Sequence, residues 1–270
     1  MVIVRHTRST GDETVLIDSL LRTPTSLQAE QFDSIVHEYL DEVIPKPWGY
    51  EFRVYADDFY DVWKLCLFPG EGTSVHCHPR KETALLCLAG SGHMRLLDSE
   101  HEVTTGSVVF VGKGVFHSTA NTGADDLHLV EVEVPRNKFD LVRLRDRYGR
   151  QGTQYETNPV KDAAVLHPGF LTPRSKLRAT VPRDGFQFGI CAGLDLITRP
   201  DPHLLFAVAL SVADAIDHTI TAIPAFIARR VVAHEQLYLT ISNPQFGTPA
   251  SAELDLDQNT QISADSHPKE

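Results

Sequence analysis

His76-Cys77-His78-Pro79-Arg80-Lys81-Glu82 is the stretch that decides the fold. Gly70 precedes it, giving Gly70-x5-His76-x-His78-x3-Glu82. A second run follows as Gly106-x5-Gly112-x-Gly114-x2-His117-x3-Asn121. On a strand, side chains alternate between faces, so His76 and His78 point one way and Cys77 the other. The polar turn Pro79-Arg80-Lys81 lets the next strand begin with Glu82 facing the same interior. Glycines at 112 and 114 permit a tight turn that aims His117 back toward the other ligands. His76, His78, His117 and Glu82 form a complete set of ligands for one divalent transition metal. The expectation is a mononuclear site inside a small β-barrel.

These two segments resemble the paired motifs of cupins, jelly-roll barrels that hold one divalent transition metal on such a set. The resemblance implies Fe, Mn, Zn, Ni or Co as the cofactor. The glycine closing the first motif falls one residue late, at Gly90, and Gly112 stands where the second motif usually has proline. The flanks carry a narrower resemblance. Lys46-Pro47-Trp48-Gly49-Tyr50-Glu51 precedes the barrel, and Asp140-Leu141-Val142-Arg143-Leu144-Arg145-Asp146-Arg147-Tyr148-Gly149-Arg150 follows it. Both are similar to the ends of the cupin domain of type II mannose-6-phosphate isomerases, over about residues 45 to 157. That family typically has Gln where this chain has His76, and a spacing to the glutamate one residue longer. It is often fused to a guanylyltransferase domain, which this sequence lacks.

At 270 residues, the chain has length for one large domain or two ordinary ones. Hydrophobic residues at 42% and charged residues at 23% match a soluble globular protein. A net charge of -11 argues against binding nucleic acid or an anionic membrane. The first residues lack the apolar core of a secretory signal, and no apolar stretch reaches the length of a membrane span. Cys66, Cys77, Cys87 and Cys191 show no CxxC spacing, so a cytoplasmic location is expected.

The fold expected is mainly β, with four parts. Residues 1–44 form an N-terminal segment with a helix from Ser26 to about residue 42, read from apolar residues at helical spacing. Residues 45–157 form the metal-binding cupin barrel, with strands at 51–55, 61–68, 73–78, 83–88, 93–97, 107–111 and 127–134. Residues 158–247 open on a Pro-rich connector and continue as a second β-rich domain. Its apolar runs are 186–190, 194–198, 204–210, 219–223, 227–232 and 236–242. Six short strands fit a degenerate second cupin, which would make the chain a bicupin. This half carries no HxH pair and reads as metal-free, either capping the barrel or supplying the surface of a homodimer. Residues 248–270 read as a flexible acidic tail.

A metal in such a site can polarise a carbonyl or, if it is iron, hold O2. Sugar isomerisation also needs a base, for which Lys64 and Arg53 are candidates. Strand alternation alone does not say which of them points inward. Arg80 and Lys113 lie beside the ligand segments and suit a phosphate, while Trp48 and Tyr50 offer aromatic faces to a sugar ring. The leading expectation is a metal-dependent isomerase or epimerase of a sugar phosphate or nucleotide sugar, in the supply of polysaccharide or natural-product precursors. An Fe(II) dioxygenase and a non-catalytic sugar-binding cupin are the alternatives.

Overall fold

The computed structural model describes residues 3–6, 8–21, 43–137, 140–150 and 170–245. The expected helix at 26–42, the tail at 248–270 and most of the Pro-rich connector lie outside these residues. The chain opens with β1 (Ile3–His6), α1 (Gly11–Leu21), β2 (Ile44–Lys46), β3 (Gly49–Ala56) and β4 (Asp61–Leu67). There follow β5 (Val75–Cys77), β6 (Glu82–Ala89), β7 (Ser91–Leu96), β8 (Glu100–Thr104), β9 (Val108–Val111) and β10 (His117–Asn121). β11 (Leu127–Val134) and β12 (Val142–Arg145) complete the barrel. The second region holds β13 (Thr180–Arg183), β14 (Phe186–Ala192), α2 (Gly193–Thr198), β15 (Leu204–Ala209) and α3 (Val212–Ile216). It ends with β16 (Ala222–Pro224), α4 (Ala225–Val231) and β17 (Leu237–Ser242). Among the described residues no helix is long and apolar enough to cross a membrane.

The barrel is two facing sheets. One has seven strands in the order β1-β9-β6-β11-β4-β3-β2, and the other has five in the order β12-β5-β10-β7-β8. Trp63, Leu65, Leu85, Met94, Val109 and Leu129 fill the space between them. A third sheet, β13-β14-β17-β15-β16, packs on the outside of the seven-stranded one. There Val62, Leu86 and Val132 of the barrel meet Phe188, Phe206 and Ile241. The seven-stranded sheet is therefore buried on both faces. That is why β9 and most of β6 read as nearly unbroken apolar runs rather than alternating ones.

The second region is β-rich as expected, but its described residues form one sheet with three short helices, not a barrel of two facing sheets. Two of its apolar runs are helical: 194–198 lies in α2, and 227–231 lies in α4. Apolar runs of five or six residues suit either structure, and sequence pattern does not separate them.

The N-terminal segment contributes more than its sequence suggested. β1 pairs in parallel with β9. Thr10 and Glu13 form a capping box at the start of α1, with Thr10 N donating to Glu13 Oε2 at 2.7 Å and Glu13 N to Thr10 Oγ1 at 3.2 Å. The other oxygen of buried Glu13 accepts from Phe116 N at 2.9 Å, bracing the loop one residue before His117.

Candidate metal centre

β5 and β10 are antiparallel neighbours that place His117 directly opposite His76. His78 follows two residues on, so its ring leaves the same face, while Cys77 turns away to pack with Phe116 and Val142. Gly114, at φ 72°, makes the turn before His117, and its N–H donates to His78 O at 2.9 Å. Gly112 has no positive φ among the glycines that do, so the turn rests on Gly114 alone.

The three rings form a compact triangle. Their centroids are 4.5 Å apart for His76 and His117, 5.1 Å for His76 and His78, and 5.5 Å for His78 and His117. Each ring's Nδ1 meets a backbone carbonyl: His76 with Ser74 O at 2.8 Å, His78 with Asp140 O at 2.6 Å, His117 with Val115 O at 3.1 Å. A carbonyl only accepts, so each Nδ1 carries the proton and each Nε2 presents its lone pair. The Nε2 atoms of His78 and His117 are buried and make no hydrogen bond among the described residues. Burial holds all three rings neutral, His117 down to about 4 and the other two well below their ordinary value, with Lys81 nearby adding to the effect. Neutral imidazoles with fixed tautomers and converging lone pairs are the state a metal requires.

Glu82 does not join them. In β6, Leu85 and Cys87 face the barrel interior, whereas Ala84, Leu86 and Leu88 face the third sheet. Glu82 shares the outward parity and stands opposite Val134 on β11. The turn at 79–81 fixes which residue enters the strand facing inward, and it selects Thr83. The half-buried carboxyl of Glu82 is pushed up by burial, offset by the Lys113 backbone N–H.

The carboxylates that do face the histidines come from β11. Glu131 Oε1 lies 3.9 Å from His78 Nε2. Glu133 Oε1 accepts from Lys81 Nζ at 2.6 Å, and both residues are buried. Ligating atoms of His76, His78 and His117 fall within 4.8 Å of one another, as do those of His78, Glu131 and Glu133.

A cavity opens above this cluster, and Lys46, Trp48, Glu51, Arg143 and Arg150 are among the residues lining it. Arg143 stands opposite His76 in the β12–β5 pairing. Arg150 is held by Asp146, with Nη2 to Oδ1 at 2.6 Å, and lies over the Tyr148 ring at 5.0 Å.

Of the other residues expected at the site, only Trp48 lines the cavity. Lys64 faces the third sheet, where it contacts His128 Nδ1 at 2.5 Å and pairs with Asp184. Tyr50 shares that face and donates to Asp184 Oδ1 at 2.9 Å. Arg53 is buried and its Nε donates to Asp61 Oδ1 at 3.0 Å. Lys113 reaches His218, and Arg80 is tied through its backbone N–H to Asp140. Neither belongs to the cavity lining.

Residues 63–133 match the cupin domain family model. This part of the barrel is a cupin domain. Curated relatives include mannose-1-phosphate guanylyltransferase ManC of Salmonella typhimurium, 28% identical over 42% of this chain. Mannose-1-phosphate guanylyltransferase of Escherichia coli is 29% identical over the same share. The chain spans about a quarter (24%) of the length of either relative. Among solved structures, the capsular polysaccharide assembling protein CapF of Staphylococcus aureus matches at 21% identity and a TM-score of 0.36. That match covers 38% of this chain and 31% of that one. The likeness is confined to part of each protein.

Proposed function

We propose that this cupin is a metal-dependent enzyme acting on a sugar phosphate or nucleotide sugar, by isomerisation or epimerisation. The carrying observation is three neutral imidazoles with ligating nitrogens within 4.8 Å of one another, lining a cavity together with Lys46, Arg143 and Arg150. The partial likeness to mannose-1-phosphate guanylyltransferases supports a sugar-related substrate. His76, His78 and His117 would hold a divalent ion together with a carboxylate; when bound, it would supply Lewis acidity for a substrate carbonyl.

The chain's own groups supply the rest. The backbone carbonyls of Ser74, Asp140 and Val115 keep the three rings oriented. Arg143 and Arg150 are placed to take a phosphate, and the Asp146 carboxylate pre-sets the second guanidinium. Glu51 lines the cavity with its carboxylate 3.8 Å from Lys46 Nζ, and is our choice for the base that moves a proton between adjacent carbons.

Metal-loaded protein incubated in D2O with hexose phosphates and nucleotide sugars should incorporate solvent deuterium next to the carbonyl carbon, and Glu51→Gln should keep the metal while losing this exchange. Absence of exchange with every substrate, together with oxygen consumption coupled to product, would replace this reading with an oxygenase.

A further inference from the structure

We propose that Glu13 of α1 is a positioning residue of the three-histidine centre. It fixes the turn that delivers His117, which makes the N-terminal segment an integral part of the site. The inference rests on the metal-centre reading above and says what holds one of its ligands in place.

His117 begins β10 and enters it directly from the turn at 112–116. The N–H groups of that turn show what it is fastened to. Gly112 N donates to His6 O of β1 at 2.6 Å, and Gly114 N to His78 O at 2.9 Å. Val115 N donates back to Gly112 O at 3.2 Å, and the Lys113 N–H goes to the Glu82 carboxyl. Phe116 N, next to the ligand, donates to Glu13 Oε1 at 2.9 Å. Both ends of the turn are therefore held by the N-terminal segment, one through β1 and one through α1.

The helix also lies against the back of the site. Leu16, Ile17 and Leu20 pack on Cys77, Phe116 and Val142. Cys77 stands between His76 and His78, and Phe116 immediately before His117, so α1 covers the side chains that alternate with the ligands. A Cβ on Gly114 would stand 3.0 Å from Ile17 Cδ1, which puts the helix directly on the turn.

Glu13 is the polar link in this contact. It is buried, and its two oxygens accept from backbone N–H groups of different elements, Thr10 N and Phe116 N. The first bond caps the helix. The second does nothing for the helix and reaches 103 residues along the chain. Phe116 is buried too, and a buried N–H stripped of its acceptor is costly. Without the carboxyl the turn would shift toward another acceptor and carry His117 with it. A metal site tolerates a displacement of only about 0.5 Å.

The test is cobalt(II) affinity, read by competition with a chromophoric chelator, with the visible spectrum of the cobalt-loaded protein as a report on ligand geometry. It uses the full chain and four variants, each checked by thermal melting in EDTA. Losing an outer partner of a ligand costs ~10–100-fold in affinity. Glu13 acts through the backbone beside His117, so Glu13→Ala should weaken cobalt by about 10-fold, the low end of that range, and alter the spectrum. Glu13→Asp keeps the charge at the helix start but draws back from Phe116 N by one methylene. It should weaken cobalt too, and serves if the Ala variant does not fold. Thr10→Ala, which damages the helix cap and leaves the Phe116 bond, should melt lower yet keep wild-type affinity and spectrum. His117→Ala should not bind cobalt tightly. Wild-type affinity and spectrum in both Glu13 variants, with loss in His117→Ala, would overturn the positioning role and leave the metal centre standing. Equal losses in Glu13→Ala and Thr10→Ala would overturn it as well, reducing Glu13 to a helix cap. Absence of cobalt uptake by the wild type would overturn the metal centre and this inference together.

Discussion

Two lysines are buried on opposite sides of the same seven-stranded sheet, and their surroundings differ in kind. Lys81, at the entrance to β6, points into the barrel and bonds Glu133. Lys64, in β4, points into the seam between the barrel and the third sheet, where Asp184, His128 and Tyr50 enclose it. The seam even gathers Cys66, Asp126 and His128 within 4.8 Å, a grouping that on composition alone looks like a metal site. There, however, the Lys64 nitrogen already sits 2.5 Å from His128 Nδ1. Inside the barrel, His78 and His117 keep buried Nε2 atoms without a hydrogen bond among the described residues. A buried charge cluster with its own cation is a structural tie. A cluster of lone pairs converging on a cavity is a place for a ligand.

The contrast can be broken by removing each lysine in turn. Lys81→Met should cost the most, roughly 3–5 kcal/mol in urea unfolding, because it strands Glu133 in a fully buried position. Adding Glu133→Leu should restore much of that loss. A Lys81→Met protein as stable as the wild type would show that water reaches Glu133, contrary to the described burial.

Acid is the next lever, acting on the barrel side. The three histidines are neutral in the folded chain and gain protons more readily when unfolded, so their pKa values are depressed by folding. Stability of the metal-free protein should therefore be full above the ordinary histidine pKa of 6.5. It should fall with pH from there down through about 4, where His117 protonates. The slope should approach about 1.4 kcal/mol per pH unit for each ring that stays neutral. Replacing all three with Gln should flatten the urea midpoint across that window, and an unchanged slope would mean the acid sensitivity originates elsewhere.

Lys64→Met should have the smallest effect, about 1–3 kcal/mol, because Asp184 is about a quarter exposed and water can take up its charge. Metal content should be untouched. A loss of metal in Lys64→Met would dissolve the distinction between the two faces.

Much of this was legible in the sequence, and the exceptions have definite causes. The seven barrel strands expected from short apolar runs and turns coincide with β3, β4, β5, β6, β7, β9 and β11, whereas β1, β2, β8, β12 and the His117 strand β10 are too short or too polar to read as apolar runs. The facing of Lys64 was not legible, since the third sheet makes both faces of β4 apolar and erases the alternation that would name an inside. Glu82 lies on the outward parity of β6 because strand parity does not carry through the turn at 79–81, where one residue reverses a side chain. Glu131 and Glu133 could have been found. They stand two apart in a strand otherwise largely apolar, on the parity of Leu127 and Leu129, which mark the interior. Arg143, Arg150, Lys46 and Glu51 lay within the flanking stretches that carried the isomerase-like resemblance, but only the fold turns them toward one cavity.

The central claim, that three converging imidazoles hold a metal, is tested most directly by elemental analysis of the purified protein beside His117→Ala. The account predicts about one divalent transition-metal ion per chain in the wild type, and loss of that ion in a variant that melts like the wild type in EDTA. No ion in either protein, with none taken up on reconstitution with Fe, Mn, Zn, Ni or Co, would contradict it.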